Sequence, residues 1–265
     1  MIIEPKLDIL PDTQKELWPQ LKDVPQKYVL YGGTAIALRY GHRASVDFDF
    51  FSTDQKDIRT MAERLPFIRK NQPSEEFLKR PDNARIKVYN HAHIDYFLEP
   101  LRGRIPFIDE DKSIVKVTFA NNTGLIAGAI KSPDEVSGNW IKIASPLDLM
   151  AAKILAMANR TAYRDFVDIA ELIKHGISLQ KGFEAAFAIS RISPEGAHRI
   201  NYAYLKEDLK AKTVTNILPD RPECVEIIRE AAANLDLEKV LNTKLKAQPV
   251  NYREIDMGNG MGMGR

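Results

Sequence analysis

The chain has 265 residues, 44% hydrophobic and 28% charged, which suits a folded protein with a real core and excludes wholesale disorder. Its 38 Lys and Arg against 36 Asp and Glu leave a net charge of +2, too even for a surface given over to nucleic acid or lipid, although a local basic patch stays open. A single cysteine, Cys224, excludes an internal disulfide framework and CxxC zinc sites; a reducing compartment, cytoplasmic by default, fits best.

At ~150 residues per domain, the length suggests one large domain or two small ones. Glu4 and the lack of an apolar run behind it argue against a secretory signal. The most apolar stretch, 124–130, falls far short of the ~18 residues that a membrane span needs, so no membrane partner is expected.

The first predicted element is a helix over 12–21, with Asp12 or Thr13 as N-cap. A short buried strand over 28–31 stops at Gly32 and Gly33, which open a helix rich in Ala, Ile and Leu over 34–40. Residues 46–51 alternate with period two and predict a second strand. Further strands are predicted at 84–89, 93–98, 114–119 and 140–143, with a turn at Asn90. The character then changes. Ser145 as N-cap, Pro146 at the first helical position and Asp148 in the first turn open a helix reaching about residue 159. Helices follow over 163–174, ending at Gly176, and over 179–190, 194–205 and 222–233. The expected architecture is mixed α/β: a strand-rich core over 1–144, a helical unit over 145–256, and a tail over 257–265 too rich in Gly and Met to pack.

The chemistry concentrates between Tyr31 and Ser52. On a strand, residues two apart face the same side, so Asp47 and Asp49 project together while Val46, Phe48 and Phe50 face the core. Two carboxylates on one face repel unless a cation neutralises them, and Mg²⁺ held together with substrate phosphates is the natural partner. A bare DxD is more often only a polar strand face. Just upstream, however, Gly32, Gly33 and Thr34 form a strand-to-helix turn where backbone can approach an anion closely, with Thr34 adding a hydroxyl. Together they describe a phosphate cradle beside a metal site.

That combination resembles the nucleotidyltransferase superfamily of polymerase-beta type. The run from Gly33-Thr34-Ala35 through Arg39, His42 and Arg43 to Ser45-x-Asp47-x-Asp49 is more narrowly similar to the AbiEii/AbiGii toxins of type IV toxin–antitoxin and abortive-infection systems. The resemblance spans roughly 12–174 and implies a nucleotidyltransferase-type mixed sheet with flanking helices, followed by helices. It implies a third carboxylate, for which Asp95 in the strand over 93–98 is the candidate. Two Mg²⁺ (or Mn²⁺) ions held by Asp47, Asp49 and Asp95 would then clamp the α-phosphate of a nucleoside triphosphate, with Asp95 favouring deprotonation of the attacking hydroxyl. His91 and His93, also on one face, lack a third ligand for zinc.

A second similarity lies in Lys153, Arg160, Arg164, Asp165 and Asp168. It implies that Lys153 meets the triphosphate and Asp165 orients basic groups, while Arg164 and Asp168, four apart, are expected to pair. Arg39, His42 and Arg43 form a basic cluster that would either hold phosphates or balance the acids. Ser45, two residues before Asp47, would bring charge beside the acids if phosphorylated. The expected function is transfer of NMP from an NTP to RNA, tRNA-like ends among the candidates, or to protein. Arg39, Arg43, Lys131, Lys153 and Arg160 would supply a local cleft for RNA. A cognate antitoxin is the implied partner. The rival is a catalytically inactive nucleotide- or protein-binding module of the same fold. Glycosyltransferases, dehalogenase-type phosphatases and kinases fit the surroundings of the DxD poorly.

Overall fold

The computed structural model describes residues 1–52, 57–80, 83–90, 93–101, 113–121, 128–191, 200–246 and 248–249. Its organising element is strand β3, Asp47–Ser52, where buried and half-buried side chains alternate along the strand. Phe48 and Phe50 are fully buried, whereas Val46, expected on the core side, lies before the strand and is 53% exposed. Phe50 stacks on Phe119 with ring centroids 5.6 Å apart, and Tyr28 meets the same ring edge-on. This aromatic cluster pins the register of the sheet from its core face, because a one-residue slip would turn the phenylalanines outward.

Eight strands form one mixed sheet. In chain order they are β1 (Ile2–Ile3), β2 (Val29–Tyr31), β3, β4 (Ile86–Asn90), β5 (His93–Leu98), β6 (Val115–Asn121), β8 (Asp134–Val136) and β9 (Lys142–Ile143). Across the sheet the order is β1-β8-β9-β2-β3-β6-β5-β4, while β7 (Gly128–Ala129) pairs separately with β10 (Gln248–Pro249). β3 is antiparallel to β2 and parallel to β6; β6 is antiparallel to β5. The mixed α/β expectation therefore holds.

Several boundaries moved for identifiable reasons. The helix expected over 12–21 is α1, Asp12–Leu17, followed by a 3-10 turn over Trp18–Asp23, since Pro19 has no N–H for a continuing α-helix. Its N-cap is Pro11, and no side chain caps it. The strand expected over 140–143 shortens to β9 because Trp140 adopts a left-handed φ of 59° in the β8–β9 hairpin. Helices α2 (Gly32–Tyr40), α3 (Ile58–Ala62), α4 (Pro66–Lys70) and α5 (Glu75–Lys79) belong to the strand-rich half, and the last three were not anticipated.

The later helices are α6 (Pro146–Met157), α7 (Tyr163–Lys174), α8 (Leu179–Ser190), α9 (Tyr202–Asp208), α10 (Ala211–Ile217), α11 (Pro222–Ala233) and α12 (Leu237–Leu241). Ser145 caps α6 as expected, accepting from the Asp148 N–H, and Asp148 also accepts from the N–H groups of Ile130 and Lys131. The helix expected over 194–205 begins instead at Tyr202, capped by Asn201; residues 192–199 lie outside the described residues, as do His91 and the tail over 257–265. One hydrophobic cluster runs from Leu10 to Val240 and takes side chains from both halves of the chain. Gly182 lets α8 approach Met150 of α6, where a Cβ would sit 2.3 Å from the methionine Cγ. Among the described residues, no helix is long and apolar enough to cross a membrane.

Candidate active site

The site grows from the turn between β2 and α2. Gly32 has a φ of 76°, a conformation that side chains resist, and a Cβ there would lie 2.4 Å from Oδ2 of Asp49. At Gly33 a Cβ would lie 2.5 Å from Nη2 of Arg43 and 3.0 Å from Oγ of Ser45. Gly32 is thus required by its backbone and the acid pressed against it, while at Gly33 a side chain would have to displace the end of Arg43 and crowd the Ser45 hydroxyl. Thr34 is buried, and its hydroxyl donates to the backbone carbonyl of Asp47, tying α2 to the start of β3. It anchors the turn from behind and does not present its hydroxyl to the cleft.

Register then assembles an acid face. Asp47 pairs with Lys116 and Asp49 with Thr118 across β3–β6, while Asp95 pairs with Thr118 across β6–β5. Nζ of Lys116 lies 3.4 Å from Oδ2 of Asp47. Burial pushes the Asp49 carboxyl above its ordinary range; the neighbouring charge of Asp47 adds to this, and the ammonium of Lys116 only partly opposes it. Burial works the same way on Asp95, yet hydrogen bonds from His93 and Thr118 and the charge of Lys116 outweigh it, so that carboxyl sits low. Asp95 accepts from Thr118 Oγ1 at 2.8 Å and from the Tyr89 hydroxyl at 3.1 Å, one on each oxygen.

The expected set of Asp47, Asp49 and Asp95 spans three strands, with Asp49 and Asp95 both in register with Thr118. Among the described residues, no three His, Cys, Asp or Glu side chains converge to hold an ion. The reason is topological: β6 stands between β3 and β5, and it carries Lys116 and Thr118 into the gap. In the sequence, Val115-Lys-Val-Thr-Phe119 reads simply as a strand with one polar face, which gives Lys116 no signal of its own.

A second, basic cluster adjoins the acids. Lys153 on α6 donates to Asp165 at 2.8 Å and lies 2.6 Å from Asp168, both on α7 and both fully buried. Arg43 grips Asp168 through Nε at 2.7 Å and Nη2 at 2.6 Å, and His42 adds a 2.7 Å contact. Burial alone would raise the Asp168 carboxyl, but the bonds and charges of His42, Lys153 and Arg43 hold it far below its usual range. Arg160, with half its side chain exposed, holds Asp165 through Nε at 2.9 Å. The fields of Lys153 and Arg160 both reach Asp49, which places this cluster at the border of the acid face.

The expected Arg164–Asp168 pair is not formed. Arg164 lies on the exposed side of α7, and Asp168 is claimed by Lys153, Arg43 and His42. The basic cluster of Arg39, His42 and Arg43 also divides: Arg39 bonds Asp134 at 2.7 Å and the Ala144 carbonyl at 2.6 Å, fastening the sheet far from the acids.

A mixed sheet with two acids on an interior strand, set against a Gly-Gly turn, defines a nucleotidyltransferase-type fold. Two solved structures share it: MenT4, a nucleotidyltransferase toxin of Mycobacterium tuberculosis H37Rv, with a TM-score of 0.54, 14% identity and coverage of 88% of this chain and 85% of that one; and an H. pylori protein assigned as a nucleotidyltransferase, with a TM-score of 0.50, 17% identity and coverage of 84% and 92%. At such identities the likeness is one of fold. The family of AbiEii nucleotidyl transferase toxins of type IV toxin–antitoxin systems matches residues 20–241, and the chain belongs to that family. An uncharacterized protein of Aquifex aeolicus (strain VF5) is 27% identical over 160 residues, a match spanning 58% of this chain and 62% of that relative's length.

Proposed function

We propose that the chain is a toxin that transfers NMP from an NTP to an RNA acceptor, tRNA-like ends foremost, or to a protein, and that a cognate antitoxin restrains it. The observation that carries this reading is the approach of Asp49 to Gly32, which sets a same-face acid pair against a backbone turn able to take phosphate. A divalent ion, Mg²⁺ or Mn²⁺, fits the donor set. Asp47 and Asp49 offer hard oxygen ligands on one face, and Asp49 is under-compensated until a cation arrives. When bound, such an ion supplies positive charge to the phosphate oxygens as negative charge builds there.

The chain's own groups do the rest. In the transfer, the acceptor hydroxyl oxygen bonds to the α-phosphorus as the bond to the β-phosphate bridge breaks, and pyrophosphate leaves with the electron pair. The hydroxyl proton passes to a carboxylate of the acid face. Asp95, with both oxygens already accepting hydrogen bonds, positions Thr118 and Tyr89. Lys153 spends two of its three N–H groups on Asp165 and Asp168 and keeps one for a phosphate oxygen beside Asp49. Arg160, held at its Nε and Nη2 and half exposed, offers the rest of its guanidinium to the triphosphate. Arg43 is committed to Asp168 and to the Ala44 carbonyl, so it holds the turn in shape.

The test is incubation with each α-labelled NTP, Mg²⁺ and total RNA beside an Asp47→Ala/Asp49→Ala control. Label entering RNA or protein only with the intact acids establishes the transfer and names donor and acceptor. Absence of label together with absence of Mg²⁺-dependent nucleotide binding would instead identify an inactive binding module.

A further inference from the structure

Lys116 is an expensive residue for its position. β6 is paired on both sides, and Val115, Val117 and Phe119 on its core face are fully buried. On the opposite face only 30% of the Lys116 side chain is exposed, so the ammonium gives up much of its hydration there. What compensates it is acid on both flanks. Asp47 is its register partner on β3, at 3.4 Å, and β5 brings Asp95 to the row of Thr118, two residues along β6.

Three carboxylates against one ammonium leave this face about two charges negative before nucleotide arrives, a deficit that one divalent ion cancels. Asp95 already accepts from Thr118 and Tyr89, one bond on each oxygen, and no three ligating side chains converge among the described residues. A tethered ammonium needs no carboxylate cage of its own, and its flexible stem lets it change partners.

Building on the transfer reading above, we propose that Lys116 is the second cation of this site. It holds Asp47 before substrate arrives, yields that carboxylate to a single divalent ion, and turns its N–H groups onto the incoming phosphates. Lys116 thus binds nucleotide and at the same time competes with the metal.

The experiment counts Mn²⁺ ions bound per chain, by calorimetry and electron paramagnetic resonance, with and without a non-hydrolysable NTP analogue. It is run on the wild type, Lys116→Met, Lys116→Arg and Asp47→Ala/Asp49→Ala. One ion is expected in the wild type with analogue. Without nucleotide, Lys116→Met should bind Mn²⁺ about tenfold more tightly, because the competing charge is gone, yet bind the analogue about tenfold more weakly. Lys116→Arg should restore analogue binding. A merely structural lysine would not move ion and nucleotide affinity in opposite directions.

Two ions in the wild type, or a folded Lys116→Met with both affinities unchanged, overturns the proposal. Should Lys116→Met fail to fold, the wild-type count decides alone. No ion in the wild type even with analogue, matching the double alanine variant, sinks the transfer reading itself and Lys116 with it.

Discussion

Two clusters of charge lie side by side in this molecule and are built to opposite rules. Around Asp165 and Asp168 the acids are fully buried and surrounded by cations: Lys153, Arg160, Arg43 and His42. Around Asp47, Asp49 and Asp95 the acids outnumber the cations, and Asp49 is driven toward its protonated form. The first arrangement mainly fixes shape, with Lys153 and Arg160 at its border turned toward the proposed substrate; the second keeps a negative deficit that folding leaves for a ligand to fill. Neutralised charge marks the frame, and uncompensated charge marks the place of chemistry.

The comparison breaks most sharply at Asp168. Asp168→Ala strands Arg43, His42 and part of Lys153 in a buried setting and should cost about 3–5 kcal/mol, read as a fall in the midpoint of urea unfolding. Acid tests the same cluster more gently. The Asp168 carboxyl is depressed in the folded state, so its contribution is complete above the ordinary carboxylate range and is lost as pH falls below it. Wild type should therefore lose stability below about pH 4, and Asp168→Asn, weaker at neutral pH, should lose less over that range.

The acid face should behave in reverse. Asp49 is raised in the folded state, so its ionised form costs stability at neutral pH, and that cost vanishes as pH falls and the carboxyl protonates. Asp49→Asn should raise Tm by a few degrees at pH 7 while abolishing label transfer and any Mg²⁺-induced thermal shift. A lower Tm would mean that the deficit is not real. The smallest effect is expected at Arg164, exposed on α7: Arg164→Ala should change stability by less than about 0.5 kcal/mol, because Asp168 has other partners.

How much of this was legible in the sequence depends on distance along the chain. The helices over 163–174, 179–190 and 222–233 stand where periodicity and local stop signals set them, and Asp47 and Asp49 share a face because strand period two is a local property. What local patterns could not carry was pairing. Arg164 and Asp168 satisfy the spacing rule for a helical ion pair, yet Arg43, 125 residues away, competes with two aligned hydrogen bonds and wins. Asp95 reads as a mid-strand acid, but only the strand order reveals β6 and its lysine between it and β3. Val46 looked like a core residue because alternation says nothing of where a strand begins.

The turn at Gly32 has a practical consequence. With a left-handed backbone and the Asp49 carboxylate pressed against it, the position has room for hydrogen and for little else. An alanine there would push the carboxylate out of line while leaving the buried frame of Asp165 and Asp168 untouched. Under the proposed transfer, such a variant should keep its fold and lose label transfer. It would then serve as bait with an intact outer surface in a search for the proposed antitoxin.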